Sequence, residues 1–360
     1  PGRGDRERAM LKQIHFRAMN TDVGIWLWHD SSQAAAWLQQ AAQRFAAIEA
    51  ELSRFRPDSG LSRLNDAAGA GAQPVSPLLW AVVNAALEAA RRSHGLFDPT
   101  LLHPLQRAGY DRSFEQLAGQ DRRFEQLAPD LVNDAALKRP DWGYQRVHTN
   151  PAAATVTLPV GLGLDLGGIG KGWAVDAVAE ALAVHGPVLV DAGGDMRAIG
   201  VPQGEPWPIA VQDPFNEEHD LLTLALTSGA VATSSIGGRR WTQNGQARHH
   251  LLDPRTGQPS ASDLHTVTAL APTAVAAEVA AKVALLLGSR RGRAYLAGQG
   301  LRGVLTRRDG EQQIVGRLPL SHLNVQPTTT HPPNVQSTPT DYLKVQSTPT
   351  HEEYAAWPVS

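Results

Sequence analysis

The sequence contains no cysteine among its 360 residues, and that absence removes several classes of protein at once. Disulfide frameworks, iron–sulfur clusters, thiolate zinc sites and cysteine nucleophiles all require this residue. Long apolar runs are missing as well, since no stretch approaches the roughly 18 consecutive apolar residues of a transmembrane helix. An excess of one charge is also lacking, because the net charge of −2 offers no electrostatic basis for binding nucleic acid or an anionic membrane.

The composition that remains is typical of a soluble globular protein. Apolar residues make up 42% of the chain and charged residues 19%, which is enough apolar material for a substantial core. Residues 1–13 begin with a polar segment and contain no apolar core of a signal peptide, so we expect a flexible N-terminus. We expect a soluble protein of the cytoplasm, or of the periplasm if a signal peptide has been removed.

Residues 14–320 alternate between helical and strand-like patterns, which predicts an α+β fold of mixed sheets flanked by helices. Helical spacing of apolar residues covers residues 34–52, 76–92, 171–185 and 273–287. Strand-like runs cover two segments within 14–28 and the segments 153–160, 187–191, 207–212, 221–227 and 301–306. From residue 321 onward, three ten-residue units are rich in Thr, Pro, Gln and Ser, and we expect residues 321–360 to form a disordered tail.

A glycine-rich segment lies where an apolar run gives way to a helical pattern. It surrounds one lysine with four glycines: Gly167, Gly168, Gly170, Lys171 and Gly172. Glycines allow backbone N–H groups to approach a ligand closely, and a helix N-terminus next to a lysine favours anions. This combination suits phosphate oxygens. The alternative is a glycine-rich turn that leaves a solvated lysine.

Two familiar phosphate-binding loops are excluded by spacing. A P-loop requires glycine where this chain has Asp165, and it requires Ser or Thr where the chain has Gly172. The dinucleotide pattern G-x-G-x-x-G requires its third glycine at Trp173. The segment therefore belongs to neither class.

Six further segments carry polar residues that accompany the glycine-rich one. They are Met19-Asn20-Thr21; residues 51–55 with 59–65; Phe97-Asp98-Pro99-Thr100; Asp191-Ala192-Gly193-Gly194-Asp195; Ala232-Thr233-Ser234; and residues 249–257, HHLLDPRTG. In this order and at these intervals, the set resembles the ApbE family of FAD:protein FMN transferases from about Phe16 to about Val315. The resemblance implies a two-lobed α+β fold and FAD as the substrate. It also implies transfer of FMN to a Thr or Ser hydroxyl of a client flavoprotein, with release of AMP.

The resemblance also implies a set of residues that contact FAD. They are Met19, Asp98, Thr100, Asp165, Gly167, Gly168, Lys171, Asp176, Gly193, Gly194, Asp195, Ser234 and Arg255. Local chemistry offers other roles for some of them. Met19 suits a core, Asp98-Pro99-Thr100 suits an Asx turn, and Gly193-Gly194 suits a plain tight turn. Arg255 is also placed to fix its own turn through a salt bridge with Asp253.

The resemblance assigns catalysis to His250 and Lys171. A histidine near the transferred phosphate can accept the proton of the client hydroxyl or bind a phosphate oxygen. Lys171 would hold phosphate oxygens. No histidine spacing in the chain supports a zinc site.

The implied Mg²⁺ site departs from the family pattern. Family members supply an Asp and, four residues later, a Thr or Asp, together with a backbone carbonyl of the glycine–lysine loop. The matching positions are Glu278, Lys282 and Gly170. An ammonium has no lone pair, so Lys282 cannot ligate Mg²⁺. Three interpretations stay open here: an ion pair on a helix surface, an ammonium in the metal's place, or a member that has lost transfer.

Three functions therefore compete at this point. They are FMN transfer, storage or presentation of FAD without catalysis, and hydrolysis of FAD by a pyrophosphatase. The family's acceptors carry an Asp/Gly/Ser-Gly-Ala-Thr-like segment, which the 321–360 tail lacks. We expect the partners to be FAD and a separate client flavoprotein, with no nucleic acid, and the sequence leaves the oligomeric state open.

Overall fold

The computed structural model describes residues 10–114, 121–122, 142–243 and 246–321. The predictions for residues 1–9 and for the tail after Ser321 lie outside the described residues. The strands are β1 (Met10–Ala18), β2 (Thr21–His29), β3 (Ala72–Pro74), β4 (Asp121–Arg122), β5 (His148–Asn150), β6 (Thr155–Thr157), β7 (Val188–Ala192), β8 (Asp195–Ile199), β9 (Trp207–Asp213), β10 (Asn216–Leu226), β11 (Gly229–Ser235), β12 (Arg240–Gln243), β13 (Gln246–His249), β14 (Leu252–Asp253), β15 (Gln258–Pro259), β16 (Leu264–Ala271), β17 (Arg302–Arg307) and β18 (Gln312–Val315). The α-helices are α1 (Ala34–Leu52), α2 (Gly60–Asp66), α3 (Pro77–Arg92), α4 (Leu102–Arg107), α5 (Gly170–Ala183) and α6 (Ala274–Gly298).

One large sheet organises the fold. Its eight strands run in the order β1-β2-β7-β8-β11-β16-β17-β18, and each neighbouring pair is antiparallel. The α+β prediction is confirmed.

The two faces of this sheet pack against two different clusters of buried residues. Val190 packs into the cluster that contains α1, α3 and α5, whereas its neighbour Leu189 packs on the opposite face with the β9–β10 hairpin. Ala230 and Val231 on β11 divide in the same way. This alternation is the two-residue period of a strand covered on both sides.

The predicted bounds of α1 and α3 are confirmed, because the apolar spacing and the capping residues that define them lie within the helices or directly before them. Helix α1 covers the predicted residues 34–52, and α3 begins after Ser76, whose hydroxyl accepts the N–H of Leu79 at 3.1 Å, with Pro77 at its first position. Helix α5 begins one residue before the predicted start. Helix α6 runs beyond the predicted end at residue 287, with a break at Gly288, where φ is 77°.

Several sequence predictions need correction. Residues 10–13, expected in the flexible N-terminus, form the start of β1, and the strand predicted for 153–160 is reduced to β6. Strands β11 and β16 lie inside the sheet, between β8 and β17, yet neither was among the predicted strands. The apolar run just before the glycine-rich segment is a loop, and the N–H of Leu164 donates to the side chain of Asn65 at 2.7 Å.

Two tight hairpin turns lie side by side at one end of the sheet. Met19 and Asn20 join β1 to β2 with φ of 53° and 59°, and Gly193 and Gly194 join β7 to β8 with φ of 64° and 90°. Two positive φ values in a two-residue turn are typical of the type I′ hairpin. The turns meet because β2 pairs with β7, and the N–H of Gly193 donates to the carbonyl of Asp22 at 3.1 Å.

A single asparagine holds the loop that leads into α5. The Asn65 amide donates to the carbonyl of Leu164 at 2.9 Å, and its oxygen accepts the N–H of Leu164 at 2.7 Å. The side chain thereby satisfies both backbone groups of a fully buried residue. One residue further on, the N–H of Asp165 donates to the carbonyl of Pro99 at 2.7 Å.

Replacing Asn65 by alanine is expected to lower the free energy of unfolding by about 2–4 kcal/mol, because the buried N–H and C=O of Leu164 lose their partners. Urea denaturation measures the change. The control is Asp66→Ala, an exposed neighbour on the same helix, with an expected change within about 0.5 kcal/mol. Equal losses in the two variants would contradict this account of the loop.

Candidate functional site

The two hairpin turns, the loop before α5, the end of β11 and the helix α6 surround a cavity of about 330 Å³. A smaller cavity adjoins it, and the two share Leu105, Asp165, Gly168, His250 and Lys282. Most of the predicted site residues line the larger cavity: Met19, Asp165, Gly167, Gly168, Gly170, Lys171, Gly193, Asp195, Ser234, His250, Glu278 and Lys282. The glycine-rich segment and the His250 segment, separated by about 80 residues in the chain, thus meet at one cavity.

Lys171 is the centre of a buried ion-pair network. Its ammonium pairs with the carboxylate of Asp195, and it lies 3.3 Å from Oε1 of Glu278. The second oxygen of Glu278 accepts the N–H of Gly172 at 2.9 Å, at the N-terminus of α5. The interpretation of Lys171 as a solvated lysine is therefore wrong.

Burial and the neighbouring charges both shift the pKa values of Lys171 and Asp195. Burial alone would lower the pKa of Lys171, but the carboxylates of Asp195 and Glu278 raise it above the ordinary value of a lysine. Burial raises the pKa of Asp195, the ammonium of Lys171 opposes that effect, and the carboxylate of Glu278 reinforces it. Lys171 therefore stays charged at neutral pH.

Asp165 pairs with an arginine that the sequence did not single out as a site residue. Nε of Arg54 lies 2.5 Å from Oδ2 of Asp165, and both side chains are mostly buried. The guanidinium stacks over the rings of Phe55 and Tyr110, with centroids at 4.1 and 4.6 Å. All four side chains line the larger cavity. Arg54 and Phe55 lie in one of the segments that carried the resemblance, and nothing local pointed to Tyr110.

His250 is a mostly buried imidazole shared by both cavities. Burial lowers its pKa well below the ordinary 6.5, and the nearby Arg239 and Lys282 cations lower it further. The ring is therefore neutral at pH 7. Its Nδ1 is buried and has no hydrogen-bond partner among the described residues. A neutral imidazole with a free nitrogen is able to accept a proton.

Lys282 does not pair with Glu278, although the two lie four residues apart on α6. Glu278 is buried and turned to Lys171, so the interpretation as a surface ion pair is wrong. Within the described part of the chain, the Lys282 ammonium has no carboxylate within 4.0 Å. It lies 5.3 Å from the ring centroid of Phe97.

The residues present do not fit a Mg²⁺ ion. Mg²⁺ requires oxygen ligands in a near-octahedral arrangement. Both oxygens of Glu278 are already engaged, by Lys171 and by Gly172, and Lys282 offers an ammonium. Only the Gly170 carbonyl keeps the chemistry that the resemblance implied. Across the described residues, no group of three His, Asp or Glu side chains is placed to hold a metal ion.

Five of the predicted contact residues lie outside the lining of the larger cavity. Asp98 accepts the N–H of Thr100 at 2.9 Å and its hydroxyl at 2.6 Å, which is the expected Asx turn. Thr100 in turn accepts the N–H of Gly143 at 2.7 Å, and Asp98 reaches only the smaller cavity. Gly194 is the second residue of its hairpin turn, with φ of 90°, and Arg255 pairs with Asp253 at 2.6 Å, as the sequence suggested.

Asp176, the fifth of these residues, has an evident structural role. Its two carboxylate oxygens accept the N–H groups of Ala274 and Val275, at 2.8 and 3.0 Å. It thus binds the N-terminus of α6 from the neighbouring helix α5. Burial raises its pKa, and the two backbone hydrogen bonds partly offset that effect.

The fold and the site together define an α+β protein with a cleft at a helix N-terminus, lined by charged side chains of both signs. A sequence model described as the ApbE family matches residues 19–305 of the chain. The FAD:protein FMN transferase of Treponema pallidum is 30% identical over 294 residues, which cover 76% of this chain and 77% of that protein. The corresponding protein of Salmonella typhimurium is 27% identical, covering 80% of this chain and 81% of its own length.

Solved structures agree with these sequence relationships. The crystal structure of the ApbE protein of Thermotoga maritima superposes with a TM-score of 0.75 at 26% identity, covering 85% of this chain and 97% of that one. The flavin transferase ApbE of Vibrio cholerae superposes with a TM-score of 0.68 at 22% identity, covering 85% and 98%. The chain belongs to the ApbE family. None of the helices described here is both long and apolar enough to cross a membrane.

Replacing Asp176 by alanine is expected to lower the free energy of unfolding by about 2–3 kcal/mol, because two N–H groups at the start of α6 lose their acceptor. Chemical denaturation followed by circular dichroism measures the loss. Glu180→Ala is the matched control, since Glu180 is an exposed carboxylate one turn later on the same helix. A loss in the control as large as in Asp176→Ala would argue against the capping role.

Proposed function

We propose that this chain transfers the FMN moiety of FAD to a Thr or Ser hydroxyl of an acceptor protein and releases AMP. The observation that carries the proposal is the meeting of the glycine–lysine helix start and His250 at one cavity. The family match and the relatives named FAD:protein FMN transferase support it.

Binding would use the cavity's backbone and its charges. Gly167 and Gly168 line the cavity just before α5, at the end of the helix dipole that favours anions. The N–H of Gly167 donates to Oδ1 of Asp165 at 2.8 Å, so a phosphate would have to compete with that carboxylate for it. Met19, in the first hairpin turn, also lines the cavity, close to Gly170, and would offer an apolar side chain to a flavin ring. Ser234 adds a hydroxyl from β11.

The transfer step needs a base and charge stabilisation. The acceptor hydroxyl oxygen bonds to the phosphorus of the FMN phosphate, and the bond from that phosphorus to the bridging oxygen breaks. AMP leaves with that electron pair, and the hydroxyl proton passes to Nδ1 of His250. Fixed cations around the diphosphate stabilise the charge that develops on the leaving phosphate. Lys171 contributes mainly by holding Asp195, Glu278 and the start of α5 in place.

One incubation tests this function against the two alternatives. The full chain is incubated with FAD and with a protein that carries an Asp-Gly-Ala-Thr-like segment, and AMP and acceptor-bound flavin are measured by chromatography and mass spectrometry. Release of AMP with labelling of the acceptor supports transfer. Release of AMP without labelling indicates hydrolysis. Bound FAD without any AMP indicates a non-catalytic binding protein.

Replacing His250 by asparagine is expected to slow transfer by about 10²–10⁴-fold, because the proton of the acceptor hydroxyl loses its base. The affinity for FAD should change far less. The matched control is His249→Asn, since the neighbouring His249 does not line the cavity and contacts the carbonyl of Ser260 at 3.2 Å. Transfer in His250→Asn at the rate of the parent chain would remove His250 from the mechanism.

The lowered pKa of His250 predicts the pH dependence of transfer. The imidazole is the active base only when it is neutral, so kcat/KM should fall as the pH drops through the pKa of His250 in the free protein. Because burial places this pKa well below 6.5, the rate should remain on its plateau at pH 6.5. A pH profile of kcat/KM checks this, and an acid limb centred above pH 6.5 would contradict it.

A further inference from the structure

Lys282 presents a positive charge that the rest of the protein does not neutralise. Its side chain is mostly buried beside the Phe97 ring, and no described carboxylate lies within 4.0 Å of the ammonium. Holding an ammonium out of water costs free energy unless an anion faces it. Burial accordingly lowers the pKa of Lys282, although the more distant carboxylates of Asp165, Glu278 and Asp98 partly offset that effect. The side chain is arranged to receive an anion.

The ammonium lies against the glycine-rich loop. A Cβ atom placed on Gly168 would stand 2.7 Å from Nζ of Lys282 and 3.3 Å from Cε2 of Phe97. The missing side chain at Gly168 therefore gives the ammonium its space. Lys282 also lines both cavities together with His250, so its charge lies where the loop, the base and the ligand space meet.

The ion pairs around the larger cavity show which basic side chains are still unpaired and could bind an anionic ligand. The cavity is lined by four basic and four acidic side chains: Arg54, Lys171, Arg239, Lys282, Glu49, Asp165, Asp195 and Glu278. Arg54 pairs with Asp165, and Lys171 pairs with the two carboxylates of its own network. Among these described residues, the two basic side chains without an ion pair are Lys282 and Arg239. Of these two, Lys282 is the one that contacts the glycine-rich loop.

We propose that Lys282 is a fixed cation that neutralises the diphosphate of FAD in this chain and takes the place of a divalent metal ion. The proposal rests on the proposed function, because it takes FAD as the ligand. It accounts for the engaged oxygens of Glu278, which are directed to Lys171 and Gly172 and are not free for a metal. Binding of FAD and release of AMP then proceed without an added divalent cation.

The experiment measures the dissociation constant for FAD by isothermal titration, once in EDTA and once in excess MgCl₂. For the parent chain we expect the two values to agree within about twofold, since the charge is supplied by the protein. Lys282→Met removes the charge but keeps an unbranched apolar side chain. It should weaken FAD binding by about ten- to hundredfold in both solutions, as expected for the loss of one charge-assisted contact.

Three further variants separate the effect of the Lys282 charge on FAD binding from effects on folding. Lys282→Arg keeps a cation and should retain more affinity for FAD than Lys282→Met. The double variant Glu278→Asp with Lys282→Thr restores the oxygen donors of the family pattern, and its FAD binding should become stronger in MgCl₂ than in EDTA. Arg293→Met removes an exposed charge from the same helix and should leave the affinity unchanged. Thermal unfolding of each variant identifies any that fail to fold.

The outcomes distinguish this proposal from the function on which it rests. A parent chain that binds FAD in MgCl₂ but not in EDTA would overturn the role of Lys282 and leave transfer intact. Parent-like affinity in a folded Lys282→Met would also overturn it. A parent chain that binds no FAD in either solution would instead overturn the proposed function.

Discussion

The ion pair between Lys171 and Asp195, extended to Glu278, is the interaction on which the arrangement of the cavity depends. Lys171 belongs to the first turn of α5, Asp195 starts β8 and Glu278 lies in α6. Burying a charge costs free energy unless the charge is paired and hydrogen-bonded. The Glu278 carboxylate also accepts the N–H of Gly172, where the helix dipole favours a negative charge. Three elements of the fold are therefore held together by charge at the wall of the cavity.

The glycines of the central segment serve the protein's own packing as well as a ligand. A Cβ on Gly172 would lie 2.9 Å from the backbone of Ala274 and from Oε2 of Glu278, so this glycine lets α5 and α6 approach closely. Gly168 makes room for the ammonium of Lys282. The same glycines that suggest phosphate binding are therefore also required for the close packing of α5 against α6 and of Lys282 against the loop.

The sequence predicted features that depend on neighbouring residues and missed those that depend on distant ones. The bounds of α1, the cap at Ser76 and the salt bridge of Arg255 are all set within a few positions of the chain. Asp176 instead binds N–H groups 98 and 99 positions away, which no local pattern indicates. The residues of the cavity were placed by their resemblance to a family, since spacing alone does not show which loops meet.

Glu278 and Lys282 both differ from the residues that the ApbE pattern implies at the metal site, and the two differences can be explained together. Glu278 directs one carboxylate oxygen to Lys171 and the other to the N–H of Gly172, so both of its oxygens are engaged. A free carboxylate would otherwise repel the same diphosphate that the site is proposed to bind. The lysine one turn later then returns a positive charge to the loop, at the space left by Gly168. A tethered ammonium also differs from a metal ion in its consequences, because its occupancy does not depend on the free concentration of any ion. Under the proposal, the positive charge that the site offers to the diphosphate depends on the protonation and the burial of one side chain.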